Sequence, residues 1–398
     1  MILSKKIFLC IGFIITSCSA IPEPRVLLIH TVPWLGGDGI HTFNFLKMLH
    51  ERGYHADILV TQNTKMHQLL KNNNVACYTT PHEQTGVNPQ ITKDVAQLII
   101  KICEKNKISL VHCNYRSQVP SLIQAAKKVP IKTILTYHLP YQFKAESLFG
   151  LDGVITVDPF MKDLIAETNR RFGSKIKKVA HIAPLFDAEK FLSLKSSNQT
   201  RSIFLKNQFN ITLDKEPLIV VVANMYTNLQ HKNYPLLFDA LRDLVIRKKK
   251  QIRVIAAGDG PSRIKIQKLA AKKGLKDVVS FVGFTDKIPE LLRHADAVVL
   301  ASSYEAFGII LLEAGLMQKP AIAAHATGAQ QIIQDGKTGL LFKKGNALDL
   351  ALKIDQLISN QAYARTLGMQ AYDHILKNFL PAITFTKINA FYRDILSN

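Results

Sequence analysis

The sequence predicts an α/β protein made of two doubly wound, Rossmann-like halves. Three observations lead there. The chain has 398 residues, more than a single hydrophobic core comfortably organises, so two domains are the default. Short apolar, β-branched runs alternate with helical stretches along its length, the pattern of a parallel sheet covered on both faces. The alternation also begins twice, because residues 25–30 and 217–223 are both buried-type strands followed by a polar or glycine-bearing loop and then a helix.

At the amino terminus, Lys5-Lys6 precedes a nearly all-apolar run over residues 7–15, the charged start and short core of a secretory signal. Ile15-Thr16-Ser17-Cys18 then resembles a bacterial lipoprotein cleavage box, which would leave Cys18 acylated. About ten apolar residues are too few to cross a bilayer as a helix. Residues 1–20 are therefore a signal-like or membrane-anchor segment, and three readings stand open: export, a loose cytoplasmic anchor, or translation beginning near Arg25.

The first domain, residues 24–195, opens with the strand Arg-Val-Leu-Leu-Ile-His at 25–30, the loop Trp34-Leu35-Gly36-Gly37-Asp38-Gly39 and an amphipathic helix over 40–52. Strand, glycine loop and helix form a phosphate- or substrate-cradling unit. The loop is not a G-x-G-x-x-G, so a dinucleotide site is disfavoured. Further strands are expected at 56–60, 109–113, 132–137, 153–157 and 178–183, with a helix over 94–104 among the intervening stretches. Ligands of such sheets bind beyond the carboxyl ends of the strands. His112 and His138 occupy two of those ends. A lone histidine there is more often a structural, hydrogen-bonded group than a catalytic one. The polar stretch 193–199 is the expected linker out of this domain.

The second domain, residues 200–379, begins with the strand at 217–223, which ends in Asn224-Met225. Gln230-His231-Lys232-Asn233 and a helix over 234–247 follow. A strand at 252–257 runs into Gly258-Asp259-Gly260-Pro261, with Pro261 near the first position of the next helix. A strand at 279–284, a helix at 288–295 and a strand at 297–301 bring the chain to Glu305. Ala306-Phe307-Gly308 opens an amphipathic helix on which Ile309, Leu312, Leu316 and Met317 recur at helical spacing. Gly308 has no side chain, so an anion such as a diphosphate can reach the free amides of Phe307, Gly308 and Ile309 at the helix amino terminus. Glu313 lies roughly 12 Å further along if the whole interval is helical, on a helix that should be largely buried, and a buried carboxylate needs partners. Helices over 347–360, 361–379 and 380–396 complete the chain.

Composition limits the functional classes. Fifty-one Lys and Arg stand against 30 Asp and Glu, for a net charge of +21, a field attractive to phosphates and anionic headgroups. The basic residues are scattered, so solvated helix ends explain them as well as an anionic membrane surface does. No zinc-finger spacing or aromatic RNA-binding strand is present, which argues against a nucleic-acid partner. The five cysteines form no C-x-x-C pair and a chain of this length needs no staples. Apart from Cys18 they read as small core residues.

Glu305, seven residues, then Glu313, followed in order by Lys319-Pro320, Thr327-Gly328 and Asp335-Gly336-Lys337-Thr338-Gly339, resembles the signature of the retaining glycosyltransferases of family four. The resemblance covers roughly residues 25 to 396. It implies the GT-B fold, with two Rossmann-like domains facing across a cleft and the segment 380–398 crossing back onto the first. It also implies that Glu305 lies near the transferred sugar, that the amides of Phe307, Gly308 and Ile309 hold the donor diphosphate, and that Glu313 binds the ribose. Gly37, in the Gly-Gly loop, would approach the donor phosphate. His138 matches the histidine that contacts the donor sugar, and Gly260 the turn that borders the nucleotide. Phe281-Val282-Gly283-Phe284 resembles the strand whose tail contacts the base. Lys232 matches the lysine that clamps the diphosphate, whereas Asn224 stands where the family has an arginine. That departure removes a guanidinium from the leaving group, so His231 or Arg263 is a candidate assistant. Leu185-Phe186 replaces the usual polar and glycine residues at the exit from the first domain.

The chain contains no Asp-x-Asp, the carboxylate pair that would hold a divalent cation on a diphosphate. The resemblance therefore implies a retaining, metal-independent glycosyltransferase with no cofactor and a nucleotide-diphosphate sugar as donor substrate. The acceptor would be a glycan or lipid-linked molecule, in cell envelope polysaccharide synthesis. Its location would be cytoplasmic, at the inner membrane face, because nucleotide sugars are made in the cytosol. Acylation at Cys18 would instead make it an exported lipoprotein. Two rivals remain at this stage: a two-lobed solute-binding lipoprotein, which accounts for Cys18 but not for Glu305, Glu313 and Lys232, and an isomerase or phosphorylase of the same architecture.

Overall fold

The computed structural model describes residues 24–33, 37–84, 88–138, 145–173, 175–194, 199–213, 215–225 and 229–397. The signal-like segment 1–20, residues 34–36 of the glycine loop and residues 195–198 of the linker lie outside the described residues. So do residues 85–87 and 141–144 of two first-domain loops.

The described residues form two wholly parallel sheets. The first contains β1 (Val26–His30), β2 (Ala56–Thr61), β3 (Tyr78–Thr80), β4 (Leu110–Cys113), β5 (Lys132–Tyr137), β6 (Gly153–Thr156) and β7 (Lys178–His181), in the order β3-β2-β1-β4-β5-β6-β7. The second contains β8 (Leu218–Val222), β9 (Arg253–Ala257), β10 (Val279–Gly283), β11 (Ala297–Leu300), β12 (Ala321–Ala324) and β13 (Leu340–Phe342), in the order β10-β9-β8-β11-β12-β13. Each sheet places its first strand between its second and fourth, the doubly wound order. Leu28 of β1, for example, pairs with Ile58 on one side and His112 on the other.

Alternate residues of the central strands feed separate cores on the two faces of each sheet. Leu27 and Ile29 enter one apolar cluster and Val26 and Leu28 another. In the second sheet Ile219 and Val221 are likewise divided from Leu218 and Val220. Both faces must therefore be covered, which is why these strands read as unbroken apolar runs.

Four local features differ from the sequence expectation. β3 is a strand that the sequence does not announce, since three residues at the sheet edge carry too little apolar pattern. The helix after Gly308 is Ile309–Leu316, largely buried as expected but on nearly every side, so it lacks the polar face of an amphipathic helix. It lies against β11 and β12 on one side and the helix Gln361–Asn378 on another. A Cβ at Gly315 would come within 2.1 Å of Ile375 Cδ1. Pro261 sits in the turn ahead of its helix, which begins at Arg263. The helix starting at Tyr234 is α-helical only to Arg242, beyond which Asp243–Arg247 form a π turn.

The last helix, Pro381–Ser397, leaves the second domain and packs on the first. Phe385, Ile388, Phe391, Tyr392 and Ile395 share a core with Val26, Leu28 and Phe45. Tyr392 Oη lies 2.6 Å from His112 Nδ1, and Tyr54 donates to Asn389 Oδ1 at 2.7 Å. Gly153 admits this helix, because a Cβ there would stand 2.7 Å from the Phe391 ring. No helix among the described residues is long and apolar enough to cross a membrane.

Candidate active site

The carboxyl ends of the two sheets meet. Tyr304, beyond β11, donates to Asp158 Oδ2, beyond β6, at 2.9 Å. Gln331 donates to the Val157 carbonyl at 3.2 Å, and its Oε1 is 2.7 Å from His181 Nε2 at the end of β7. An amide oxygen only accepts, so His181 carries its proton on Nε2. The same Gln331 amide also donates to the Ala306 carbonyl at 3.1 Å. Tyr304, Asp158, Gln331 and His181 carry no motif, and only the juxtaposition of two distant strand ends reveals them.

Around that seam the segment 301–308 is held from two sides. The Ser303 amide donates to the His231 carbonyl at 3.0 Å, tying the segment to the loop after β8. The Gly328 amide donates to the Glu305 carbonyl at 3.0 Å. A Cβ at Gly328 would lie 2.2 Å from that oxygen and 2.6 Å from the Phe307 nitrogen. Backbone packs on backbone there, and only glycine permits it.

This frame brings Lys232 and Glu305 together. Lys232 Nζ lies 3.0 Å from Glu305 Oε2, with the two side chains 23% and 19% exposed. Next to Glu305, Gly308 caps the helix at φ +92°, and no side chain caps that end. The Leu311 amide turns back to the Gly308 carbonyl at 2.8 Å. The amides of Phe307, Gly308 and Ile309 make no hydrogen bond among the described residues. The ammonium paired with Glu305 and, just beyond Glu305 in the chain, three backbone donors with no partner among the described residues therefore flank one segment, and helix-start amides of this kind can bind anionic oxygen.

The other expected residues are placed separately. Glu313 stands apart from Lys232, and its charged neighbours are Lys190 and Asp187, where the chain leaves the first domain. Burial raises its carboxyl to about 7, with Lys190 opposing and Asp187 adding to the rise. No hydrogen bond or ion pair reaches that carboxylate among the described residues. Asn224 is exposed, while its neighbours Ala223 and Met225 are clasped by the glycine turn. Cβ atoms at Gly258 and Gly260 would come within 2.0 Å of the Ala223 oxygen and 2.4 Å of the Met225 oxygen. Gly37 is the first residue of the helix Gly37–Glu51. Arg263 is engaged elsewhere: its guanidinium donates to the Phe281 carbonyl at 3.1 Å and pairs with Asp259 at 3.6 Å. His231 neighbours both Lys232 and Glu305. Burial and the Lys232 charge lower its pKa, and Glu305 opposes them.

The histidines of the first domain divide into structural and accessible groups. His112 is fully buried between Tyr392 Oη and Thr136 Oγ1, at 2.6 and 2.7 Å, and burial pushes it down to about 3. It is structural. His138, at the end of β5, is partly exposed. Its Nε2 is 3.3 Å from Asn114 Oδ1, and its ring meets the His41 ring at 5.2 Å. Desolvation, then the neighbouring His41, His112 and His30, hold its pKa well below the usual value, so the ring is neutral. His41 is neutral as well, lowered to about 4 chiefly by burial.

Comparison with known proteins agrees with this architecture. The family model described as Glycosyltransferase Family 4 matches residues 35–189, and that described as Glycosyl transferases group 1 matches residues 204–374. The N-acetyl-alpha-D-glucosaminyl L-malate synthase of Bacillus anthracis is 24% identical over 387 residues, spanning 92% of this chain and 95% of its own. A glycosyltransferase structure from Rickettsia africae ESF-5 superposes with a TM-score of 0.79 at 21% identity, over 94% of this chain and 99% of that one. The Anabaena Alr3699/HepE structure in complex with UDP and glucose superposes at 0.77 with 18% identity, over 93% and 100%. The two doubly wound domains are therefore a GT-B fold. With one model on each domain and the two together taking in most of its length, this chain belongs to the family-four glycosyltransferases.

Proposed function

We propose that the chain transfers a sugar from a nucleotide-diphosphate sugar to a hydroxyl of a glycan or lipid-linked acceptor, with retention of anomeric configuration and without a metal ion. The observation that carries this reading is the Lys232–Glu305 contact of 3.0 Å beside the unpaired amides of Phe307, Gly308 and Ile309. As the bond from the anomeric carbon to the diphosphate breaks, negative charge grows on the departing oxygens. Donors already aimed at that charge lower the barrier. Lys232 and the three amides would fill that role, and the UDP held by the Anabaena neighbour is a ligand of this kind. Glu305 would exchange its ion pair with Lys232 for the sugar, while Glu313 would take the ribose hydroxyls.

The acceptor oxygen would form its bond to the anomeric carbon on the face the diphosphate leaves, passing its proton to a phosphate oxygen. No side-chain base is needed, so the neutral His138 would position the sugar. The net charge of +21 supports work near an anionic membrane surface at the cytoplasmic face, where lipid-linked acceptors are held. The test is a panel of nucleotide sugars with chelator present, reading nucleotide release and, by proton NMR, the anomeric configuration of the product. Transfer that requires added divalent metal, or that inverts the centre, overturns those parts of the proposal. A second reading has support from the Bacillus anthracis relative, whose name gives L-malate as the unit glycosylated. Including a small hydroxy acid among the acceptors separates the two.

A further inference from the structure

The first-domain lobe contains a hydrogen-bond chain that runs from Thr42 through Asn114 to His138. Thr42 lies on the helix Gly37–Glu51, Asn114 follows β4, and His138 follows β5. Thr42 and Asn114 are both buried. Asn114 Nδ2 donates to Thr42 Oγ1 at 2.9 Å. With the amide turned this way, Asn114 Oδ1 is the atom 3.3 Å from His138 Nε2. An amide oxygen has no proton to give, so in this arrangement His138 donates from Nε2. In a neutral imidazole the other nitrogen, Nδ1, is then a bare lone pair. It makes no hydrogen bond among the described residues, and the side chain is partly open to solvent. Burial, the largest cause, opposes a second proton on His138, so Nδ1 stays an acceptor through the neutral pH range.

We infer that Thr42 and Asn114 are positioning residues that fix His138 as its Nε2–H tautomer, so that Nδ1 accepts a hydrogen bond from a hydroxyl of the transferred sugar. The functional half of this inference rests on the reading that His138 faces the donor sugar; the tautomer itself does not. A histidine in the opposite tautomer would present an N–H to the ligand and favour an acceptor atom there. The relay therefore acts on specificity, selecting a hydroxyl over a methoxy or deoxy position.

The first measurement is long-range proton–nitrogen NMR on the full chain labelled with nitrogen-15 histidine. His138 Nδ1 is expected to resonate as an unprotonated nitrogen and Nε2 as a protonated one. The reverse pattern overturns the proposal whatever the activity. Thr42→Val keeps the shape of the side chain but leaves Asn114 Nδ2 without its acceptor, and Asn114→Ala removes the relay. Both should convert His138 to a mixture of tautomers and reduce kcat/KM for the donor about three- to tenfold, the scale of one hydrogen bond. A donor lacking the recognised hydroxyl should lose nothing further in either variant. A changed tautomer with unchanged kcat/KM would remove His138 from the sugar site and overturn the positioning role. Lys232→Ala separately tests the nucleotide-sugar reading, since Lys232 belongs to the other lobe and has no part in the relay.

Discussion

At the scale of single residues, the candidate site is built from two kinds of atom: a charge with little solvent around it and backbone that must approach closely. Lys232 and Glu305 are each about four-fifths buried, so neither is screened as a surface pair would be. Lys232→Ala should lower kcat about 10²- to 10³-fold, the usual cost of removing one donor to developing charge. It also leaves Glu305 buried without its cation, so Glu305→Gln/Lys232→Ala should recover the stability lost by the single variant, measured by thermal melting, while staying inactive. Gly328→Ala should be equally inactive for a different reason. A methyl 2.2 Å from the Glu305 carbonyl must displace the segment 305–308, and nucleotide binding by calorimetry should fall with activity. Glu313 gives a pH signature. Its folded pKa of about 7 lies above the ordinary 4.5, so the folded state holds the proton more tightly. The stability this brings is complete below about pH 4.5 and lost as pH rises through 7. The full shift corresponds to about 3 kcal/mol. Glu313→Gln should flatten that decline in a urea-melt series from pH 5 to 8. If ribose hydroxyls donate to the ionised carboxylate, nucleotide affinity in the parent should rise over the same range, and the variant should show no such rise.

At the scale of elements, the sequence is most informative where burial dictates composition. Strands with two covered faces must be apolar throughout, so the runs that became β1, β4, β5, β8, β9 and β11 were readable to within a residue or so. β3 was not, because three edge residues bury little. The helix Ile309–Leu316 is legible as a largely buried helix, but it has no polar face of the kind amphipathic spacing suggests. Its apolar spacing and its burial agree with the sequence reading, while Gly315 and the contact from Ile375 show a second helix covering the face that an amphipathic helix leaves open. The site was partly legible for the same reason. Lys232 and Glu305 are 73 residues apart, and their order relative to the glycine turns pointed to both, whereas the bridge through Gln331 depends on packing between lobes that no local pattern encodes. Arg263 illustrates the converse, since a plausible assistant cation proves committed to the Phe281 carbonyl. The helix Pro381–Ser397 makes a quantitative case. Five of its large side chains are buried in the first domain's core, and each contributes about 1.5–3 kcal/mol. Their sum is comparable to the whole stability of a domain, about 5–15 kcal/mol. A chain ending at residue 379 should therefore fail to give a cooperative melt for its first domain, whereas Tyr392→Phe, which removes only the bond to His112, should cost about 1 kcal/mol.

At the scale of the whole molecule, the lobes are joined at their strand ends by a few polar bridges and behind by the crossing helix. Such bridges can break and reform without exposing a core, so the cleft can vary in width while the helix holds the connection. Gln331 touches Val157, His181 and Ala306 at once. Gln331→Ala should accordingly loosen the seam, increasing the small-angle scattering radius of gyration of the free protein more than that of its nucleotide complex. The charge acts over the same scale. An excess of 21 positive groups spread over both lobes creates a long-range attraction rather than a pocket. Each basic residue brought to an anionic surface contributes about 1 kcal/mol, and the attraction decays over about 8 Å at physiological salt. Two causes of membrane binding can then be separated. If charge is responsible, a chain starting at residue 24 should co-sediment with phosphatidylglycerol vesicles at low salt, release as salt is raised several-fold, and ignore phosphatidylcholine. If the apolar run at residues 7–15 is responsible, only the full chain should bind, both lipids should serve, and salt should matter little. Binding of the shortened chain to neutral vesicles in high salt would contradict both accounts and point to an apolar surface on the folded lobes.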